Sequence, residues 1–124
     1  MSPFSQALKT FRIRRGLRQK QLALLLGYEP SYISALERGE KGPPRQDFIR
    51  RLISGLSLSE EDQAKLEEAL QTSRRQFSIP HRASDAEFQM VHQLVPQLGS
   101  LLPQQIQLIQ LALSFPQICR DMPR

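Results

Sequence analysis

The sequence predicts an all-α protein: a bundle of five short helices followed by a C-terminal extension of two more. Three observations lead there. Apolar residues recur at three- and four-residue spacing in short runs, glycine or proline bounds those runs, and no alternating apolar–polar run of strand type occurs.

The first helix reads from Ser5, as its cap, to about Arg15, with Leu8 and Phe11 inward and Lys9, Arg14 and Arg15 outward; Gly16 stops it. A second runs from Gln19 to Leu26 with Leu22, Ala23 and Leu26 buried, and Gly27 ends it. A third opens at Pro30, where the missing N–H costs nothing, and closes before Gly39. Glu40 to Pro44 holds a glycine and two prolines and serves as a loop. The fourth helix spans about Arg45 to Ser54 on a stripe of Phe48, Ile49, Leu52 and Ile53, broken at Gly55 ahead of Leu56. Ser59 and Asp62 form an acidic capping pair for the fifth, which buries Leu66, Ala69 and Leu70 and ends near Ser73. Residues 74–83 read as a linker, basic and interrupted by Pro80. Ser84 and Glu87 then cap a sixth helix through Phe88, Val91, Leu94 and Val95, limited by Pro96 and Gly99; Pro103 opens a seventh through Ile106, Ile109 and Leu113. The organisation expected is therefore 1–73 as one domain, 74–83 as linker and 84–124 as helical extension.

The chain has 124 residues, 40% hydrophobic and 23% charged, which is ordinary globular composition and excludes disorder throughout. Its net charge of +5 is unevenly spread: residues 1–55 hold 11 Lys and Arg against 4 Asp and Glu, and residues 56–124 hold 6 against 8. A polyanionic partner would meet the first half. From Phe88 to Cys119 there is no Asp, Glu, Lys or Arg, so that stretch is built to face protein more than water. The single cysteine, Cys119, excludes an intrachain disulfide framework and reads as a buried or half-buried thiol. No basic-then-apolar segment opens the chain and no run reaches about 18 apolar residues, so the expectation is a cytoplasmic, nucleoid-associated protein with no membrane contact.

Gln19 to Gly39, QKQLALLLGYEPSYISALERG, has the layout of a helix-turn-helix that reads DNA. At 100° per residue the third helix turns Ile33, Leu36 and Glu37 inward and Pro30, Ser31, Ser34, Ala35 and Arg38 outward. Small side chains ending in an arginine suit close approach to a major groove. Ser31 can donate to or accept from a base edge, and Ala35 can touch a thymine methyl.

Those residues carry a resemblance. The run GLRQKQLALLLGYEPSYISALERG resembles the helix-turn-helix of the Xre (lambda-repressor-like) family of bacterial and phage regulators. Leu8, Arg12, Gly16-Leu17, Gln19, Leu22-Ala23, Gly27, Ser31 to Ser34, Glu37 to Gly39 and Pro44 match, over residues 5 to about 58. The resemblance implies a lambda-repressor-like five-helix bundle that binds double-stranded DNA as a homodimer on a pseudo-palindromic operator. It places Pro30, Ser31, Ser34 and Ala35 toward bases. It places Gln19, Tyr32, Arg38, Lys41 and Arg45 on the DNA backbone, with Arg18 and Lys20 adding charge beside them, and makes Arg12 and Glu37 a partly buried pair between the first and third helices. A monomer meets one half-site, so the extension is expected to supply the dimer through Leu94, Leu98, Leu102, Ile106, Ile109 and Leu113, or else to cover the core of its own chain.

Departures from the family pattern sharpen the expectation. Arg18 replaces a serine or threonine cap, Glu29 and Pro30 replace the usual start of the third helix, and Leu24 stands at a position that is usually polar. Pro30 offers only shape and apolar contact, so reading rests more on Ser31, Arg38, the loop and DNA shape.

Other chemistry is weakly represented. Glu60, Glu61, Asp62, Glu67 and Glu68 fit a helix start and a solvated face better than a metal or acid–base site. His81 and His92 lack companions for zinc, and neither a phosphate loop nor a nucleophile elbow is present, so no metal, no cofactor and no enzyme is expected. Arg50 and Arg51 read as the polar side of the fourth helix. Arg74, Arg75 and Arg82 read as solvated linker charges, with a second strip of DNA contacts as the alternative. The expected function is a dimeric repressor. Two rivals stay open: an autoregulating antitoxin whose extension grips a toxin, and a helical protein-interaction module that no longer binds DNA.

Overall fold

The computed structural model describes residues 1–116; the expectation for Cys119 lies outside them. The described residues form seven α-helices and one 3-10 turn and no strand. They are α1 (Pro3–Arg14), α2 (Gln19–Leu26), α3 (Pro30–Glu37), α4 (Gln46–Gly55), α5 (Glu60–Thr72), α6 (Asp85–Leu94) and α7 (Pro103–Leu113), with the 3-10 turn Val95–Gln97 after α6. Two compact units result, Met1–Phe77 and a second beginning at Ser78.

In the first unit, α1 starts earlier than Ser5. Ser2 is the cap: its hydroxyl accepts the Ser5 N–H at 3.1 Å, while the Ser2 N–H donates to Ser5 Oγ at 2.8 Å. Pro3 occupies the first helical position, so Ser5 is the third residue of the capping box and is buried. The core is Phe4, Leu8 and Phe11 of α1, Leu22, Ala23 and Leu26 of α2, Ile33 and Leu36 of α3, Phe48, Ile49 and Leu52 of α4, and Leu56, Leu58 and Leu66 beyond. These are the positions that the three- and four-residue spacing turns inward.

α4 ends at Gly55, one residue past the expected Ser54. A Cβ at Gly55 would stand 2.8 Å from Leu26 Cδ2, so the glycine lets α4 approach α2 closely, and the chain turns at Ser57 (φ +48°). Ser59 caps α5 by accepting the Asp62 N–H at 3.1 Å, and Glu60, Glu61 and Asp62 complement the helix's positive end.

In the second unit, Ser84 and Glu87 make the reciprocal box that opens α6. Ser84 Oγ accepts the Glu87 N–H at 3.2 Å and Glu87 Oε1 accepts the Ser84 N–H at 3.0 Å. The Ser84 N–H, with its hydroxyl second, holds the Glu87 carboxyl below the usual carboxylate range. No described residue of α6, the 3-10 turn or α7 is fully buried. Met90, Leu94, Leu101, Leu108 and Ile109 line an open apolar cleft of about 340 Å³. Of the six residues expected at a dimer interface, Leu94 is half-buried and lines this cleft with Ile109, and Leu98, Leu102, Ile106 and Leu113 are exposed elsewhere on the unit. Among the described residues, no helix is long and apolar enough to cross a membrane.

Candidate nucleic-acid interface

α2, the turn and α3 are fixed from three sides. Gly27 takes the left-handed conformation (φ +80°), which lets the Gly27 and Tyr28 N–H groups both donate to the Ala23 carbonyl at 2.9 Å. The Arg51 guanidinium closes the same helix end by donating to the Leu26 carbonyl at 3.1 Å, and lies 5.3 Å from the Tyr28 ring centroid. Tyr28, Tyr32 and Phe48 form an aromatic cluster with centroids 5.1–5.7 Å apart, joining the turn and α3 to α4. On the other side Glu37 accepts from Arg12 Nε at 2.7 Å and Nη2 at 2.9 Å, while Arg12 Nη1 donates to the Leu17 carbonyl at 2.8 Å. Arg12 and Glu37 are 12% and 4% exposed, so α1 and α3 are pinned by a largely desolvated, bidentate pair.

The face that α3 presents is smaller than the helical wheel implies. Pro30, Ser31 and Arg38 are exposed and Ser34 is half-buried. Ala35 is 7% exposed, which corrects its assignment as a base-facing residue. Just past the helix the chain turns back at Gly39 (φ +76°), and the Glu40 N–H donates to the Ala35 carbonyl at 3.0 Å. Arg38 also lies back along the helix. It donates to the Ser34 hydroxyl and, through Nε and Nη2, to Glu40 at 2.9 and 3.0 Å. The hydrogen bonds and charge of this pair raise the Arg38 pKa and lower that of Glu40.

Around that face sit the remaining expected contacts. Tyr32 is half-buried; burial, then Tyr28, raises its phenol, partly offset by Arg45, and Lys41 Nζ lies 5.7 Å from its ring centroid. Gln19 points inward, its Nε2 donating to Glu37 Oε1 at 3.3 Å. Arg18 is the N-cap residue of α2 and Arg45 that of α4; both take extended backbone and neither caps with its side chain. Among the described residues Arg18, Lys20, Lys41 and Arg45 are exposed and make no ion pair. Leu24, further along α2, is exposed.

Three residues here escaped the sequence. Arg51 caps α2 instead of merely lining the polar side of α4, Glu40 holds Arg38, and Arg75 donates to the Gly39 carbonyl. An acid two residues after Arg38 was visible, but its partnership depends on the turn. The Arg75 contact spans 36 residues and leaves no local signal.

Two short helices joined by a glycine turn, the second exposing Pro30 and Ser31 at its start, define the helix-turn-helix class. Residues 3–76 match the family model described as a helix-turn-helix domain, and the chain belongs to that family. It is similar to the uncharacterized HTH-type transcriptional regulator RghRB of Bacillus subtilis (strain 168), 37% identical over 62 residues, which are 50% of this chain and 45% of that protein. The match thus spans about half of either chain. No solved structure matches.

Proposed function

We propose that this chain is a sequence-specific, DNA-binding transcription regulator of the Xre type that acts in the cytoplasm, at the nucleoid, as a dimeric repressor. One observation carries the reading: α2 and α4 both begin at an arginine that does not cap them. A helix N-terminus already concentrates positive charge and unsatisfied N–H groups, so an arginine there is unfavourable within the chain. It becomes favourable when a phosphate occupies the helix end. Lys20, at the start of α2, and Lys41, in the loop after α3, carry further positive charge that is unpaired among the described residues.

In this reading Arg18, Lys20, Lys41 and Arg45 fix register on phosphates, with Tyr32 shaping the surface beneath Lys41. Pro30, Ser31 and Ser34 meet base edges. Arg38 reaches the DNA backbone once it exchanges Glu40 for phosphate. The exposed apolar residues of the second unit, Leu98 and Leu102 between α6 and α7 and Ile106 and Leu113 on α7 among them, support pairing of two chains, which would present two α3 helices one DNA turn apart. The bound dimer represses by occupying its site. The name of the Bacillus relative supports the same class of function.

Selection of binding sites from random DNA, with the free protein sized in parallel, tests this. A two-fold symmetric site and a dimer are expected. An unenriched pool at low salt would overturn the DNA reading, and a monomer on an asymmetric site would overturn the dimer. The same exposed apolar surface also suits a small toxin as partner; its co-purification would favour the antitoxin reading.

A further inference from the structure

The basic segment after α5 is not a free linker. Ser73 is buried: its hydroxyl donates to the Ala69 carbonyl at 2.6 Å and accepts the Phe4 N–H at 2.8 Å, so the chain leaves α5 at a fixed point beside the start of α1. The start of α1 in turn lies against the turn that follows α3, where a Cβ on Gly39 would stand 3.3 Å from Met1 Cα and from the Ser2 nitrogen. From there Arg75 reaches the Gly39 carbonyl through Nη2. Arg74 and Arg75, with Gln76, line one open cleft together with Gly42 and Pro43.

Gly42 and Pro43 are the middle of the loop that carries Lys41 and leads to Arg45. Two further arginines are thus packed onto the loop between two cations that already lack a carboxylate. Among the described residues Arg74 and Arg75 make no ion pair, and both are exposed. One carbonyl uses only part of a guanidinium's five N–H donors, so Arg75 keeps its Nε and Nη1 groups for another acceptor. Arg74 lies 5.8 Å from the Phe77 ring centroid, which limits its wandering without consuming its donors. Arg74 and Arg75 thus add positive charge to a cleft on the loop whose flanks carry Lys41 and Arg45, and a row of phosphates is the partner that such a field favours.

We propose that Arg74 and Arg75 bind backbone phosphates of the duplex in the cleft they form with Gly42 and Pro43, beside the phosphates held by Lys41 and Arg45. The proposal rests on the DNA-binding reading above and extends its footprint to residues that follow the helical bundle. The rival is purely structural: Arg75 clamps the Gly39 carbonyl at the negative end of α3 and touches nothing else.

The test is fluorescence anisotropy with a labelled duplex, one selected and one scrambled, between 50 and 200 mM salt. Wild type, R74A, R74A/R75A and, as reference, K41A are compared as full chains. Each cation withdrawn from a phosphate lowers the slope of log affinity against log salt by about 0.9. For R74A/R75A the slope should fall by about 1.8 per bound protomer, so the affinity deficit is roughly tenfold larger at 50 than at 200 mM salt. The loss should be equal on both duplexes. R74A, which loses no hydrogen bond to the protein, should show half the slope change at an unchanged melting temperature, so the test survives if R74A/R75A unfolds. Wild-type slopes in both variants while K41A falls would overturn this proposal and leave the DNA reading standing. Lower melting with an unchanged slope would overturn it in favour of the clamp. Absence of binding by the wild type at low salt would overturn both.

Discussion

Replacing Glu37 by alanine should be the most damaging single change outside the apolar core. The carboxylate accepts two short bonds from Arg12 and a third, weaker one from Gln19. A hydrogen bond to a charged group contributes about 1.5–3 kcal/mol. Removing the acid also strands a guanidinium that is only 12% exposed. For breaking one side of a buried pair the expected cost is about 3–5 kcal/mol. A unit the size of Met1–Phe77 has a total stability of roughly 4–12 kcal/mol at about 0.05–0.15 per residue, so the variant would stand near its unfolding threshold. Urea unfolding of the full chain followed by far-UV circular dichroism measures it. The double variant R12M/E37L should be clearly more stable than the sum of the single losses, because it removes both charges at once. A loss below about 1 kcal/mol for E37A, or strict additivity in the cycle, would refute the argument that the pair is desolvated and coupled.

Further outcomes follow from the same geometry. G39A should cost about 1–2 kcal/mol in the same unfolding assay, because φ there is +76° and the new methyl meets the backbone of Met1 and Ser2; a neutral result would show that the turn relaxes. E40Q should tighten binding to all duplexes by up to about fivefold at neutral pH, since Glu40 competes with phosphate for Arg38. The sign follows from the lowered Glu40 pKa: the pair holds above it and is lost as pH falls through it. In R38A the Glu40 titration followed by NMR should therefore move back up toward the ordinary carboxylate range; an unmoved midpoint would show that Arg38 is not its partner in solution. S31A should change preference at one base pair, read by repeat site selection, whereas an unchanged profile would mean that α3 is turned differently on the DNA.

The helices were legible because their causes are local. The apolar spacing of Leu22, Ala23 and Leu26, the stop at Gly27 and the Ser84–Glu87 cap each act within a turn or two of chain. What was missed acts over longer reach or beyond a helix end. Ala35 falls on the outward side of a wheel, but a wheel ignores everything beyond its own helix, and the folded chain leaves Ala35 only 7% exposed. Gly55 ends α4 as its place in the pattern implies, but its second role, the close approach of Leu26 from another helix, leaves no local signal. Ser5 reads as a cap when Leu8 and Phe11 are the whole apolar face, whereas Phe4 opens that face four residues before Leu8 and the helix starts at Pro3, capped by Ser2. On the candidate interface the exposure of Pro30, Ser31 and Arg38 followed from 100° spacing. The Arg75 contact with Gly39 did not, because only the folded path of α5 back to α1 creates it.

The central claim is that the unpaired cations at the starts of α2 and α4 and in the loop after α3 face DNA phosphates. The most direct measurement is the affinity of the wild-type chain for its selected duplex between 50 and 200 mM salt. With about 6–10 phosphates neutralised by a dimer, affinity should fall by roughly 10³–10⁵ across that range. A flat response, or no binding to any duplex at 50 mM, would contradict it.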